Sequence, residues 1–167
     1  MPNTTIRILG LDPGLNRTGW GVVACSGARI AHVAHGVIAP KATLDFATRL
    51  LCLFEALETI VAEHAPHEAA VEETFVNKNA MSSLKLGHAR AAVMLAPARA
   101  GLPVAEYAAR LVKKSIVGTG AADKDQIGFM VRRLLPSMGD AGADAADALA
   151  VAITHANLRV ARMRGAA

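Results

Sequence analysis

The sequence predicts an α/β domain built on a mixed five-stranded sheet flanked by helices, and three observations predict it. Three β-rich runs come first and are joined by short links, so neighbouring strands must be antiparallel. Two further short strands follow, each reached through a helical segment, and such crossovers give parallel strands. A chain of 167 residues suits one such domain with its own core. We therefore expect a single domain over residues 1–167.

The β-rich runs are bounded by residues that favour turns. Asp-Pro-Gly follows the first run, and Ser26-Gly27 forms a hairpin turn between the second and the third. In the fourth run, three consecutive apolar residues indicate a strand covered by helices on both faces of the sheet. The predicted strands are Ile6–Leu11, Thr18–Cys25, Arg29–Ile38, Glu68–Glu72 and Val104–Tyr107.

Apolar residues at helical spacing, together with prolines, predict the helices. In the first helix Thr43 is the expected N-cap, and Pro66 prevents continuation. Pro97 ends or kinks the second helix, and Pro136 ends the fourth. The predicted helices are Lys41–His64, Lys78–Arg99, Ala108–Val117, Lys124–Leu135 and Asp144–Arg162.

Composition limits the class of protein. No apolar run is long enough to cross a bilayer, and the N-terminus shows no secretion signal, so we expect a cytoplasmic protein without membrane attachment. Cys25 and Cys52 form no C-x-x-C pair and are expected to be buried free thiols. The histidines form no zinc-binding pattern, and neither a Walker A sequence nor a serine or cysteine nucleophile motif is present.

Basic residues gather from Lys78 onward, in a chain whose net charge is +4. Any one of them is an ordinary residue of a solvated helix face. Around an acidic centre, however, the whole set favours a polyanionic substrate. A basic tail begins at about residue 159. The basic residues are Lys78, Lys85, Arg90, Lys113, Lys114, Lys124, Arg132, Arg133, Arg159, Arg162 and Arg164.

Four acidic residues occur at the ends of apolar elements. Asp12 follows the first strand, Glu72 ends the fourth, and Asp144 and Asp147 lie one turn apart at the start of the last helix. Charged side chains are costly to place beside apolar segments. If the fold brings these four together, they would bind hard divalent cations against a phosphodiester.

Each acid also has a structural interpretation. Asp12 begins an Asp-Pro-Gly turn, and Asp144 and Asp147 suit a helix N-terminus as cap and dipole partner. Glu72 competes with Glu73. Because strand side chains alternate, only one of the two can face the site, and the last residue of the strand, Glu72, is preferred.

Six stretches carry a resemblance to a known family. On these residues the chain, from Ile8 to about His155, resembles the RuvC family of Holliday-junction resolvases in the ribonuclease H-like superfamily. The stretches are Gly10-Leu11-Asp12-Pro13-Gly14, Val71-Glu72, Phe75 with Lys78-Asn79-Ala80, Leu84-Lys85-Leu86-Gly87, Glu106-Tyr107-Ala108-Ala109-Arg110 and Ala143-Asp144-Ala145-Ala146-Asp147-Ala148-Leu149-Ala150.

This resemblance implies an endonuclease that resolves four-way DNA junctions by paired symmetric nicks, in homologous recombination and DNA repair. The implied cofactor is Mg²⁺, two ions per subunit, for which Mn²⁺ can substitute. The implied partners are junction DNA, a second copy of the chain, and the branch-migration proteins RuvA and RuvB.

The resemblance also assigns roles to residues. The metal-binding catalytic positions are Asp12, Glu72, Asp144 and Asp147, and the lysines needed for activity are Lys113 and Lys124. We expect Asp12 to bridge two ions, Glu72 to hold the ion on the attacking side, and the last two acids to hold the other. Phe75 matches an aromatic that stacks on a base at the opened crossover. The expected DNA contacts are Phe75, Lys78, Lys85, Arg90, Lys113, Lys114 and Lys124.

A twofold-symmetric junction needs two cuts, so a C2 dimer is expected. Its interface is expected around Leu84–Gly87, because Gly87, Ala91 and Ala92 would allow close approach. Two alternatives remain at this stage. An actin-like phosphotransferase shares the turn after Asp12 but needs two lobes, and this chain supplies one. A non-catalytic junction-binding scaffold would have no use for four acids.

Overall fold

A five-stranded sheet in the order β3-β2-β1-β4-β5 forms the centre of the molecule. The computed structural model describes residues 4–73 and 78–165, with side chains to residue 161. The strands are β1 (Ile6–Asp12), β2 (Thr18–Ser26), β3 (Arg29–Ile38), β4 (Glu68–Glu72) and β5 (Val104–Tyr107). The first three are antiparallel, whereas β4 runs parallel to β1 and β5 parallel to β4. The predicted α/β class and mixed sheet are confirmed.

Helices cover both faces of the sheet. They are α1 (Phe46–His64), α2 (Ala80–Arg99), α3 (Ala109–Val117), α4 (Lys124–Leu134) and α5 (Ala143–Gly165), with a 3₁₀ turn at Pro136–Met138. Pro97 lies inside the last turn of α2 and does not end it. The segment predicted as a basic tail continues α5 as helix beyond the expected end at residue 162.

The start of α1 differs from the prediction. The helix begins at Phe46 and not at Lys41, and its N-cap is Asp45, so the expectation of Thr43 as cap was wrong. The Asp45 carboxylate accepts hydrogen bonds from the backbone N–H and the hydroxyl of Thr48. A carboxylate cap also complements the positive end of the helix dipole, which favours Asp45 over a threonine.

Side-chain alternation along β1 and β4 separates two cores. Ile8 and Ala70 point to the face covered by α3, α4 and α5. Leu9, Leu11 and Val71 point to the opposite face, which α1 and α2 cover. The strands are therefore buried on both sides, as the apolar run in β4 predicted.

Two glycines let α5 lie directly on the sheet. A Cβ built on Gly10 would come within 2.1 Å of the backbone oxygen of Ala148, and one on Gly19 within 1.9 Å of that of Asp144. Such distances exclude any side chain at either position. Because Gly19 is the register partner of Asp12 on β1, the first turn of α5 is fixed beside the end of that strand.

Both cysteines are free thiols within the described chain, as expected. Burial raises the pKa of the Cys25 thiol to about 11, whereas Cys52 is only partly buried. Among the helices described here, none is long and apolar enough to cross a lipid bilayer.

Candidate active site

Asp12 and Glu72 end two neighbouring parallel strands and face the same side of the sheet. Leu11 pairs in register with Val71, so the two acids that follow are adjacent. Both line one cleft of about 200 Å³, called the acidic cleft below. Glu73 is exposed, and its backbone N–H donates to the carbonyl of Tyr107. The preference for Glu72 over Glu73 therefore agrees with the geometry.

The two acids of α5 enter the site differently. Asp147 lines the acidic cleft opposite the ends of β1 and β4. Asp144, one turn earlier, forms an ion pair with Arg17 in which the guanidinium Nε lies 2.6 Å from a carboxylate oxygen. Arg17 belongs to the loop after β1, and the sequence analysis missed it because a single exposed arginine carries no pattern.

Two lysines complete the acidic cleft from the neighbouring helices. Lys113 comes from α3, and Lys124 is the first residue of α4. The ammonium nitrogen of Lys124 lies 3.5 Å from a carboxylate oxygen of Asp147. Attraction by Asp147 raises the pKa of Lys124, so this lysine is a cation at neutral pH. Both lysines predicted to be needed for activity thus lie beside the acids.

Crowding of carboxylates alters their protonation. Burial, followed by repulsion from Glu72 and Asp147, raises the pKa of Asp12 to about 8. Burial likewise raises the pKa of Glu72 and that of Asp147. Because Asp12 and Glu72 are hydrogen-bonded to each other, Asp12 holds a proton that it donates to Glu72 at neutral pH.

The donor set fits a hard divalent cation. Three carboxylates in one cleft supply oxygen ligands, and a cation would replace the proton and remove the repulsion that raises their pKa values. Within residues 4–73 and 78–165, no three His, Cys, Asp or Glu side chains are already gathered as a metal site. The acids instead contact a proton, Lys124 or Arg17, so binding a cation requires exchange of these partners.

A second polar network holds α5 against the sheet further from the cleft. His155 Nε2 lies 2.7 Å from the Glu68 carboxylate, and His155 Nδ1 lies 2.7 Å from the Tyr107 hydroxyl. Arg159 donates to the other Glu68 oxygen at 2.9 Å. Glu68 and Glu72 share a face of β4, so this network lies on the same side of the sheet as the acidic cleft. Sequence analysis missed this network because its members are far apart in the chain.

Comparison with known proteins identifies the family. The profile described as "Crossover junction endodeoxyribonuclease RuvC" matches residues 8–155. The chain belongs to the RuvC family. A crossover junction endodeoxyribonuclease RuvC from Caulobacter sp. (strain K31) is 69% identical over 159 residues, covering 95% of this chain and 94% of the relative. One from Maricaulis maris (strain MCS10) is 60% identical over 163 residues, covering 98% of both. The protein is thus an enzyme of the crossover junction endodeoxyribonuclease class.

Solved structures agree with this assignment. RuvC of T. thermophilus in complex with a Holliday junction substrate superposes with a TM-score of 0.85 at 31% identity, covering 95% of this chain and 96% of that one. The ribonuclease H-like RuvC fold expected from the resemblance is confirmed. The alternatives of an actin-like phosphotransferase and of a non-catalytic scaffold are set aside by the RuvC assignment.

The other DNA contacts predicted for this RuvC-family chain occupy varied surroundings, and each remains a prediction. Phe75 lies outside the described residues. Lys78 and Lys114 are exposed. Lys85 lines a second cleft, described below. Arg90 is largely buried and forms an ion pair with Glu106, so its side chain already stabilises the packing of α2 on β5.

Proposed function

We propose that this protein resolves four-way DNA junctions by paired symmetric nicks, with the acidic cleft as its hydrolytic centre. The observation that carries the proposal is the meeting of Asp12, Glu72 and Asp147 with Lys113 and Lys124 in one cleft. Carboxylates coordinate metal ions, and ammonium groups bind phosphate oxygens. The two kinds of charged group together therefore match a phosphodiester bound at a metal centre.

The cofactor we propose is Mg²⁺, two ions per subunit, with Mn²⁺ able to substitute. Asp12, Glu72 and Asp147 would hold the ions, and Asp144 would join them on leaving Arg17. Such ions activate water and stabilise the departing oxygen of an in-line displacement. Asp12 would release its proton to water on binding a cation, so that both Asp12 and Glu72 could act as ligands. Lys124 would then leave Asp147 and could contact a phosphate oxygen beside Lys113.

A synthetic cruciform tests the proposal directly. We expect symmetrically paired nicks across the junction in Mg²⁺ and binding without cutting in Ca²⁺. The control is a linear duplex of the same sequence, which should stay intact. Nicks scattered over both substrates would indicate a general nuclease and contradict the proposal.

The two neighbouring glutamates give a matched pair of variants. Glu72→Gln should lower the cutting rate by at least about 10²-fold, because a charged group inside the acidic cleft is lost. Glu73→Gln should leave the rate within about twofold of the unaltered enzyme, because its side chain is exposed outside that cleft. Single-turnover cutting of a radiolabelled junction measures both. Equal losses in the two variants would contradict the assignment of Glu72.

The proposed partner in solution is a second copy of the chain. Met81, Leu84 and Leu95 expose 59%, 57% and 58% of their surface. With Ala91 between them, at successive intervals of three, seven and four residues, they form one face of α2, here called the α2 stripe. Exposed Gly87 adjoins it. Ala92 was wrongly expected there, since it is buried against the body of the domain. A C2 dimer through this stripe would match the symmetry of the junction.

Charge in the α2 stripe is expected to separate the subunits. Leu84→Glu should raise the dimer dissociation constant by more than about 30-fold, because two buried carboxylates would face an apolar partner. Leu134→Glu, an exposed leucine of α4 away from the stripe, is the control. Sedimentation measures assembly, and a cruciform plasmid reports paired cuts. An unchanged dimer with Leu84→Glu would place the interface elsewhere.

The remaining proposals concern the cell. The enzyme would act in the cytoplasm, where chromosomal junctions arise during homologous recombination and DNA repair. It would work beside the branch-migration proteins RuvA and RuvB. The positive net charge, with two lysines beside the acids of the cleft, supports a DNA substrate.

A further inference from the structure

A second cleft lies at the same edge of the sheet as the acidic cleft, on the side of α1 and α2. It has a volume of about 290 Å³ and is formed by the loop after β1, the first turn of α1 and the first two turns of α2. In the described part of the chain no carboxylate lines it, in contrast to the acidic cleft. It is called the basic cleft, and its lining residues are Leu15, Asn16, Arg49, Ser82, Lys85 and Leu86.

Arg49 is the fixed cation of the basic cleft. One guanidinium nitrogen donates to the side-chain oxygen of Asn16 at 2.6 Å and to the carbonyl of Leu15 at 3.3 Å. Its Nε is buried and has no hydrogen-bond partner among the described residues. A buried N–H normally has a partner, so this donor is one that the described residues leave unsatisfied. The guanidinium is thus held in place with donor capacity to spare.

The other lining groups suit the same ligand. Lys85 adds a second positive charge, and Ser82 adds a hydroxyl from the first turn of α2. Because Arg49 occupies the side-chain oxygen of Asn16, the amide nitrogen of Asn16 is left to donate. Two cations with hydroxyl and amide donors, and no carboxylate among the described lining residues, form a site for an oxyanion.

The loop after β1 links the two clefts. Its consecutive residues Asn16 and Arg17 diverge, since Asn16 contacts Arg49 in the basic cleft and Arg17 contacts Asp144 beside the acidic cleft. Asp12 begins the same loop. A DNA strand that enters the acidic cleft therefore passes the loop, and a neighbouring stretch of backbone can reach the basic cleft.

We propose that the basic cleft binds a backbone phosphate of the junction, away from the phosphate that is cut, and so sets the position of the strand relative to the acids. The proposal rests on the proposed function for its substrate. Phosphate is favoured over a base because the described lining residues carry charge and polar donors and include no aromatic side chain on which a base could stack. The contact would be independent of DNA sequence.

Lys85→Ala provides the first test, because it removes one charge from an exposed side chain without touching the loop. Junction binding is measured in Ca²⁺ over a range of KCl concentrations. Losing one phosphate contact should make the slope of log K against log salt shallower by about 0.9. The affinity advantage of the unaltered protein over Lys85→Ala should therefore be about eightfold larger at 0.1 M salt than at 1 M salt. Arg29→Ala, at the opposite edge of the sheet in the β2–β3 hairpin, removes the same charge and should leave the slope unchanged.

Neutral phosphates provide the second test. Junctions are prepared with a single methylphosphonate at successive positions and bound to the unaltered protein and to Lys85→Ala. At one position other than the scissile phosphate, the methylphosphonate should weaken junction binding by the unaltered protein but not by Lys85→Ala. Arg49→Lys, which keeps the charge and loses the fixed donors, should show a partial loss at that position, with its fold checked by circular dichroism.

The outcomes separate this proposal from the proposed function. An unchanged salt slope in Lys85→Ala, or additive losses at every methylphosphonate position, would overturn the phosphate site even if the unaltered enzyme cuts junctions normally. Failure of the unaltered enzyme to cut would instead overturn the proposed function, since the phosphate site is measured by binding alone.

Discussion

An Asp12→Asn protein is expected to bind four-way junctions and to cut them more than about 10³-fold more slowly than the unaltered enzyme. Asp12 is buried and is repelled by both Glu72 and Asp147, so we expect metal binding to depend strongly on its carboxylate. Loss of a single preorganised charged or hydrogen-bonding group at a reacting centre costs about 10²–10³-fold. Loss of the ligand itself should cost more. The measurement is single-turnover cutting with saturating Mg²⁺.

Asparagine is the right replacement because it imitates the protonated state of Asp12. Its amide N–H can donate to Glu72 as the proton of Asp12 does. The fold and the binding of DNA should therefore be preserved, which filter binding in Ca²⁺ would check. Cutting by Asp12→Asn at a rate near that of the unaltered enzyme would contradict the central role given to this residue.

Stability without metal is expected to fall as the pH rises from about 4 to about 8. The folded protein holds a proton on Asp12 up to a pKa of about 8, whereas the unfolded chain releases it near 3.8. The folded state therefore binds more protons across this window, so the free energy of unfolding decreases with pH. For Asp12 alone the change is of the order of 5 kcal/mol. The raised pKa values of Glu72 and Asp147 act in the same direction.

Thermal unfolding in EDTA and in Mg²⁺ at several pH values tests this expectation. The melting temperature in EDTA should decline towards pH 8, and Mg²⁺ should raise it most at that end, because only deprotonated carboxylates bind the ion. Asp12→Asn is the control, since it lacks the titrating group and should show a flatter profile. A melting temperature that rises with pH in the unaltered protein but not in the variant would reverse the sign and contradict the account.

The fold could be predicted from local sequence patterns, because tertiary contacts did not override them. Strand bounds matched within a residue because β-rich runs, glycine turns and prolines limit where strands can begin and end. The start of α1 was predicted wrongly because only Thr43 was considered as the cap, whereas Asp45, two residues later, is the better capping residue and is the one that the structure uses. The expectation that Ala92 lies on the exposed face of α2 was wrong because small residues suit both a helix surface and a buried contact.

The positions of site residues could be predicted only where strand alternation and strand register determine them. Strand alternation directs the side chain of Glu72, and not that of Glu73, into the acidic cleft. The parallel register of β1 and β4 brings Glu72 beside Asp12. No such rule predicts that Asp144 binds Arg17 while Asp147 enters the acidic cleft, because that depends on how far a loop reaches. The contact of Arg49 with Asn16 depends on the same loop.

The contact of Gly19 with the carbonyl of Asp144 affects how the catalytic competence of related chains is judged from their sequences. Because main-chain atoms touch there, the spacing between acids on β1 and on α5 is set by the backbone and cannot be recovered by adjusting rotamers. A homologue with alanine at this position would keep every ligand in its sequence and yet hold them too far apart. Catalytic competence in such chains should therefore be judged from this glycine as well as from the carboxylates.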